Sequence, residues 1–176
     1  MAEVSQVELE KTFLAKFVPK EIKTAEPLIL IDVYFPVSAK HPVLRLRRKG
    51  SEYVLTKKSP VKNGDASVQR ETTIPLTKEE YDSFGNVPGK RVAKKRYAVI
   101  LDGIPAEIDI FTEDLSGLVV IDFEFQTSQK KREFEPPDCC LADITQEEFV
   151  AGGMLAGKSY SDILKKLKSF GYKALN

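Results

Sequence analysis

Leu118-Val119-Val120-Ile121-Asp122-Phe123-Glu124-Phe125 is a run of branched and aromatic residues, the composition of a β-strand. Alternate side chains of a strand face opposite ways. Val119, Ile121, Phe123 and Phe125 then share one face, and Asp122 and Glu124 share the other, two residues apart. Two like charges so placed repel each other, so the pattern calls for a counter-charge nearby.

The same pattern recurs along the chain. Glu8, Glu10 and Thr12 oppose Val7, Leu9 and Phe13; Arg45 and Arg47 oppose Leu44 and Leu46. Val54, Thr56 and Lys58 oppose Tyr53 and Leu55. Lys94 and Arg96 oppose Tyr97 and Val99, with Lys95 out of phase, and Glu107 and Asp109 oppose Ile108 and Ile110. One reading is a half-exposed sheet with its polar side in water. Three features favour another. The polar faces hold mostly full charges rather than Ser, Asn or Gln; like charges repeat at i and i+2; and the signs are segregated strand by strand. A barrel turned inside out satisfies all three, with apolar faces outward under helices and charged faces lining a lumen. Carboxylate clusters hold hard divalent cations through oxygen. Arg and Lys clusters hold phosphate oxygens, Arg through a planar fork. A lumen with both suits a metal-bound polyphosphate.

The rest of the chain supplies the strands. Strand-like runs span Val4 to Val18, Leu28 to Phe35, Val43 to Lys49, Glu52 to Lys58, Val68 to Pro75, Arg91 to Leu101, Ala106 to Thr112 and Leu118 to Thr127. Lys49-Gly50-Ser51 and Asp102-Gly103 predict tight antiparallel hairpins. Thr77-Lys78-Glu79-Glu80 carries a capping-box pattern and predicts a helix to about Phe84; Thr145-Gln146-Glu147-Glu148 repeats it before Phe149. A short helix fits Lys20 to Ala25. The tail from Ser159 is amphipathic, with Ile163, Leu164, Leu167 and Phe170 on one side and Gly171 as its stop. About eight strands with few helices predict an α+β fold built on an antiparallel sheet.

Totals bound the function. The 176 residues suffice for one domain, 1–176, with a real core. A net charge of +1 implies no global attraction to nucleic acid or membrane. Locally, nine Lys/Arg face only Glu52 and Asp65 between Lys40 and Arg70, while Glu107 to Glu124 holds six carboxylates and no cation. Cys139 and Cys140 are adjacent and make no disulfide framework. With His41 as the one histidine, a Cys/His zinc site is set aside. No apolar run approaches a membrane span and the first residues form no signal peptide, so the expected setting is cytoplasmic.

Read in order, these motifs resemble the CYTH superfamily, the triphosphate tunnel metalloenzymes. The family's opening Glu-x-Glu-x-Lys is met by Glu8-Leu9-Glu10-Lys11-Thr12, with Thr12 in the place of the lysine. Arg45-Leu46-Arg47, Leu55-Thr56-Lys57-Lys58, Lys94-Lys95-Arg96, Glu107-Ile108-Asp109 and Asp122-Phe123-Glu124 follow in family order. The Glu-x-Glu after the hairpin keeps Glu71 and has Thr73 in the second place, and Pro137-Asp138 with Thr145 matches the trailing segment. The resemblance implies a closed eight-stranded antiparallel barrel with a charged lumen and helices packed outside. It implies hydrolysis of a triphosphate with Mg²⁺ or Mn²⁺. Arg45, Arg47, Lys58, Lys94 and Arg96 would grip the triphosphate; Glu8, Glu10, Asp122 and Glu124 would hold metal. Glu8, Glu10, Lys58 and Arg96 would act in catalysis, with Glu71, Glu107 and Asp109 as supporting acids. No tryptophan or base-stacking set stands out, which favours a small substrate such as tripolyphosphate over nucleic acid. A non-catalytic polyphosphate- or nucleotide-binding module, suggested by Thr12 and Thr73, and a class IV-type adenylate cyclase are the alternatives. A homodimer is compatible with the sequence.

Gly152-Gly153-Met154-Leu155-Ala156-Gly157-Lys158-Ser159 fits a P-loop pattern, but a helix-like segment rather than a strand precedes it, and 17 residues follow. It reads as a glycine-rich connector into the tail helix. His41 reads as a loop residue, and Lys165, Lys166 and Lys168 as a solvated helix face.

Overall fold

The computed structural model describes residues 5–61 and 67–175, with only the backbone for 5–8. Nine strands occur among them: β1 (Ser5–Ala15), β2 (Leu28–Phe35), β3 (Leu44–Lys49), β4 (Glu52–Pro60), β5 (Val68–Leu76), β6 (Lys90–Leu101), β7 (Ile104–Phe111), β8 (Val119–Glu124) and β9 (Cys140–Asp143). Every pairing is antiparallel, in the order β5-β4-β3-β2-β6-β7-β8-β1, and β5 pairs again with β1. The first eight strands thus close into the expected barrel, and β9 adds to β1 beyond the end of β5. The predicted hairpins form. Lys49 faces Glu52 across Gly50 (φ 60°), and Leu101 faces Ile104 across Asp102 and Gly103, both at positive φ. Positive φ at both central residues gives a turn whose twist matches the strands, which is why Asp-Gly works there.

Four α-helices among the described residues pack around the strands: α1 (Lys78–Ser83), α2 (Ser128–Arg132), α3 (Gly152–Leu155) and α4 (Tyr160–Ser169). The Thr77 capping box is present, with Glu80 N–H donating to the Thr77 hydroxyl and Thr77 N–H to the Glu80 carboxylate. Gly171 (φ 72°) stops α4 as expected, and Tyr172 N–H returns to the Leu167 carbonyl. The short helix expected at Lys20 to Ala25 is a 3₁₀ helix over Lys20–Thr24.

The second capping-box pattern opens no α-helix, only a 3₁₀ turn at Glu148–Val150. Thr145 is engaged elsewhere. Its hydroxyl accepts from Thr12 N–H (3.0 Å) and donates to Asp143 (2.5 Å). It therefore ties the β9 end to β1 and cannot cap.

Two apolar clusters hold the barrel. One lies outside β1, β6, β7 and β8: Phe13, Val99, Ile108, Ile121 and Phe123 pack with Cys139, under Ile22 and Phe134. The cover here is the 3₁₀ turn and the chain after α2, so helices do not blanket this face. The other cluster corrects the simple division of faces. Leu14, Tyr34, Val92, Phe111 and Val120 share the phase of the charged residues, yet they are buried together with Leu155, Ala156, Ile163 and Leu167 of the α3–α4 region. The inward face is charged over most of its length and apolar at one end. The C-terminal helices plug that end. Gly152 fits there because a Cβ would lie 2.1 Å from the Tyr34 hydroxyl, and Gly153 because its Cβ would lie 2.1 Å from the Pro42 carbonyl oxygen. Gly152 and Gly153 are packing residues, and Gly157 (φ 75°) turns the chain between α3 and α4, as the connector reading expects. Among the described residues, no helix is long and apolar enough to cross a membrane.

Candidate active site in the barrel lumen

Strand phase turns Glu10, Arg45, Arg47, Lys58, Lys94, Arg96, Glu107, Asp109 and Asp122 to the inner face of one barrel, where cations and carboxylates interleave. Arg96 stands at the centre of the acidic side. Its Nε donates to Asp109 Oδ1 and its Nη2 to Asp109 Oδ2, each at 2.7 Å; Nη1 reaches Glu107, and Nη2 lies 3.5 Å from Asp122. Lys94, one pleat along, donates to Asp109 Oδ2. Asp109 is 1% exposed. Burial alone would raise its pKa, but Lys94 and Arg96 overcome it and hold the carboxyl at about 2. Desolvation acts against Arg96 too, yet Asp109, Asp122 and Glu107 raise its pKa well above the ordinary arginine value. It is a fixed cation.

Across the lumen, Arg45 Nη2 lies 3.6 Å and Lys58 Nζ 3.4 Å from Glu71 Oε2, and Lys58 reaches Glu10 at 3.9 Å. Burial favours the neutral form of Glu71, but Lys58 and Arg45 outweigh it and lower its pKa. The Arg45 Nε is buried and has no hydrogen-bond partner among the described residues. Arg47 Nε and Nη2 donate to the two oxygens of Asp32, each at 2.7 Å.

Asp122 is set differently from Asp109. Burial and the neighbouring Asp109 raise its pKa, against the opposing pull of Arg96 and Lys94. Its Oδ1 accepts from the Thr12 hydroxyl at 2.7 Å, its cross-strand partner. Glu10 and Glu124 are likewise direct partners in the β1–β8 register. Glu124 is exposed and, with Glu107 and Asp122, lines an open cleft of about 370 Å³ at the rim, beside Ile100 and Pro105. Glu8 lies on β1 opposite Gln69; its side chain is outside the described residues. Among the described residues, no three acidic, histidine or cysteine side chains stand close enough together to form a ready-made metal cage.

No family model matches the chain. An inorganic triphosphatase of Nitrosomonas europaea is 32% identical over 142 residues, which is 80% of this chain and 91% of the relative. The chain belongs to the CYTH superfamily, the triphosphate tunnel metalloenzymes. A crystal structure of an inorganic triphosphatase matches at 25% identity with a TM-score of 0.63, covering 89% of this CYTH chain and 98% of the other. A candidate adenylate cyclase of Bacillus halodurans, at 16% identity and a TM-score of 0.53, covers 98% of this chain and shares the fold.

Both departures from the CYTH motifs now have a structural account. Thr12 replaces the lysine with a hydroxyl that donates to Asp122, and Lys11 points outward over the Phe134 ring, so it does not compensate. Thr73 replaces the second glutamate and donates to Glu71 Oε1 at 2.9 Å, close to the Thr56 hydroxyl. The residue that strand-by-strand reading passes over is Asp32. It is a lone acid in the apolar run Leu28–Phe35, and only the β2–β3 register, Asp32 opposite Arg47, reveals its partner.

Proposed function

We propose that this chain hydrolyses a triphosphate, inorganic tripolyphosphate first, in a reaction that depends on Mg²⁺ or Mn²⁺. The observation that carries the proposal is the lumen, where five cations converge and the Arg45 Nε lacks an acceptor among the described residues. The curated relative named as an inorganic triphosphatase supports it. In this reading Arg45, Arg47, Lys58, Lys94 and Arg96 bind the phosphates, and Glu8, Glu10, Asp122 and Glu124 serve a metal ion. Glu71, Glu107 and Asp109 hold the cations in place.

A divalent cation fits the residues present. Seven described carboxylates (Glu10, Asp32, Glu71, Glu107, Asp109, Asp122 and Glu124) share the lumen and its rim with five cations, so a polyanion meets an excess of negative charge. Glu10 lies directly opposite Glu124 in the β1–β8 register, two carboxylates placed to share one divalent cation. Mg²⁺ characteristically takes one or two carboxylates together with waters and substrate phosphate oxygens, so no protein cage is required. Such an ion, when bound, supplies Lewis-acid polarisation of the phosphoryl oxygens.

The chain's own groups do the rest. Arg45, Arg47 and Lys94 orient the polyphosphate. Carboxylates of Glu8 and Glu10 orient a water in line with the terminal phosphorus. The water oxygen bonds to phosphorus and gives up a proton, the terminal bridging P–O bond breaks with its electron pair staying on the leaving pyrophosphate, and orthophosphate and pyrophosphate result. Lys58 and Arg96 offset the charge on the equatorial oxygens. The reading further takes residues 1–176 as one domain acting in the cytoplasm on a small anion.

Orthophosphate release from tripolyphosphate, ATP and thiamine triphosphate, each with Mg²⁺ or Mn²⁺, tests the proposal. Release from tripolyphosphate that vanishes with chelator and in Asp122→Ala supports it. Binding without release makes the chain a polyphosphate-binding module, and cyclic nucleotide with pyrophosphate makes it a cyclase.

A further inference from the structure

We propose that Asp32 is a positioning residue for substrate, acting through Arg47; the proposal rests on the triphosphatase reading above and deepens it. Asp32 is 3% exposed, and Arg47 is the side chain hydrogen-bonded to its carboxylate. The contact is side-on: Nε donates to Oδ1 and Nη2 to Oδ2, both at 2.7 Å. A guanidinium carries five N–H groups in a rigid plane. The side-on clamp uses two of them. Among the described residues no hydrogen bond is made by the end-on edge, Nη1 with the second N–H of Nη2, which leaves it as a fork for a phosphoryl group. A long, flexible side chain is thereby held in one orientation before substrate arrives, the kind of preorganisation that raises reaction rate. Asp32 also lies within electrostatic reach of Arg45 and Lys94. Its direct partner is Arg47, while Arg45 and Lys94 pair with Glu71 and Asp109. None of the charge motifs includes it, because it sits among Leu30, Val33 and Tyr34.

A merely structural Asp32 would neutralise a buried arginine and leave turnover by the folded protein untouched. A mutant cycle separates the two roles. Asp32→Asn keeps the shape but exchanges one acceptor for a donor that faces the guanidinium, so the side-on clamp opens. The expected result is a fall of about 10–100-fold in kcat/KM for tripolyphosphate, measured on folded protein. Arg47→Ala should fall at least as far, and the double variant should be no worse than Arg47→Ala alone. If Arg47→Ala does not fold, Arg47→Lys keeps the charge, lacks the fork and takes its place. Unchanged kcat/KM in Asp32→Asn, a harmless Arg47 substitution, or fully additive losses would each overturn the proposal. If the wild-type chain releases no phosphate, the hydrolase reading fails by itself. The same cycle, run on tripolyphosphate Kd by calorimetry, then decides the role of Asp32: non-additive losses support it and additive ones overturn it.

Discussion

Arg96→Met gives the sharpest test of the lumen's charge network. The change removes a guanidinium that makes two 2.7 Å hydrogen bonds to a carboxylate 1% exposed. Hydrogen bonds to charged groups contribute about 1.5–3 kcal/mol each, so the pair is worth about 3–6 kcal/mol. Breaking a buried ion pair from one side costs about 3–5 kcal/mol by a separate route. Lys94 stays on Asp109 Oδ2, which places the expected loss near the lower end, about 3 kcal/mol. For a chain of this size, each kcal/mol moves Tm by about 2–4 °C, so Arg96→Met should melt about 6–12 °C lower. Metal-free protein at neutral pH, followed by circular dichroism, reads this directly. Arg96→Met with Asp109→Leu should regain part of the loss, since the stranded charge is gone. A single variant that melts within 2 °C of wild type, or a double variant that melts lower still, would refute the reasoning.

Three further outcomes follow from the same contacts. Asp109 has a folded pKa of about 2 against an ordinary 3.8; a lowered carboxyl pKa gives stability that is present above 3.8 and lost as pH falls through about 2. The difference corresponds to about 2 kcal/mol, so urea unfolding of wild type should weaken between pH 4 and pH 2 by about that much more than unfolding of Asp109→Asn. Thr12→Val removes the hydroxyl donor to Asp122 and should lower stability by about 1–2 kcal/mol in urea unfolding; no change would mean the bond is idle. Gly152→Ala drives a methyl into the Tyr34 hydroxyl and should lower stability by about 1–3 kcal/mol in thermal unfolding, whereas Gly85→Ala, with open space around it, should not.

The barrel was legible because its strands alternate so strictly. Glu107-Ile108-Asp109-Ile110 and Arg45-Leu46-Arg47 leave one side chain phase for water or a charged interior, and the segregation of signs favoured the interior. The short β9 was not legible. Cys140–Asp143 has no alternation of its own, and it forms because Thr145 and the β1 edge capture it. The apolar end of the lumen was hidden for a related reason. Leu14, Tyr34, Val92, Phe111 and Val120 lie at the ends of strands, where a switch from charge to apolar character reads as fraying. Asp32 needed the register of two strands, which no periodicity within one strand can supply.

The packing of α3 and α4 on Leu14, Tyr34, Val92, Phe111 and Val120 shuts the barrel at that end. Nothing is threaded from one end of the lumen to the other past Leu155, Ile163 and Leu167, which are 0%, 2% and 0% exposed.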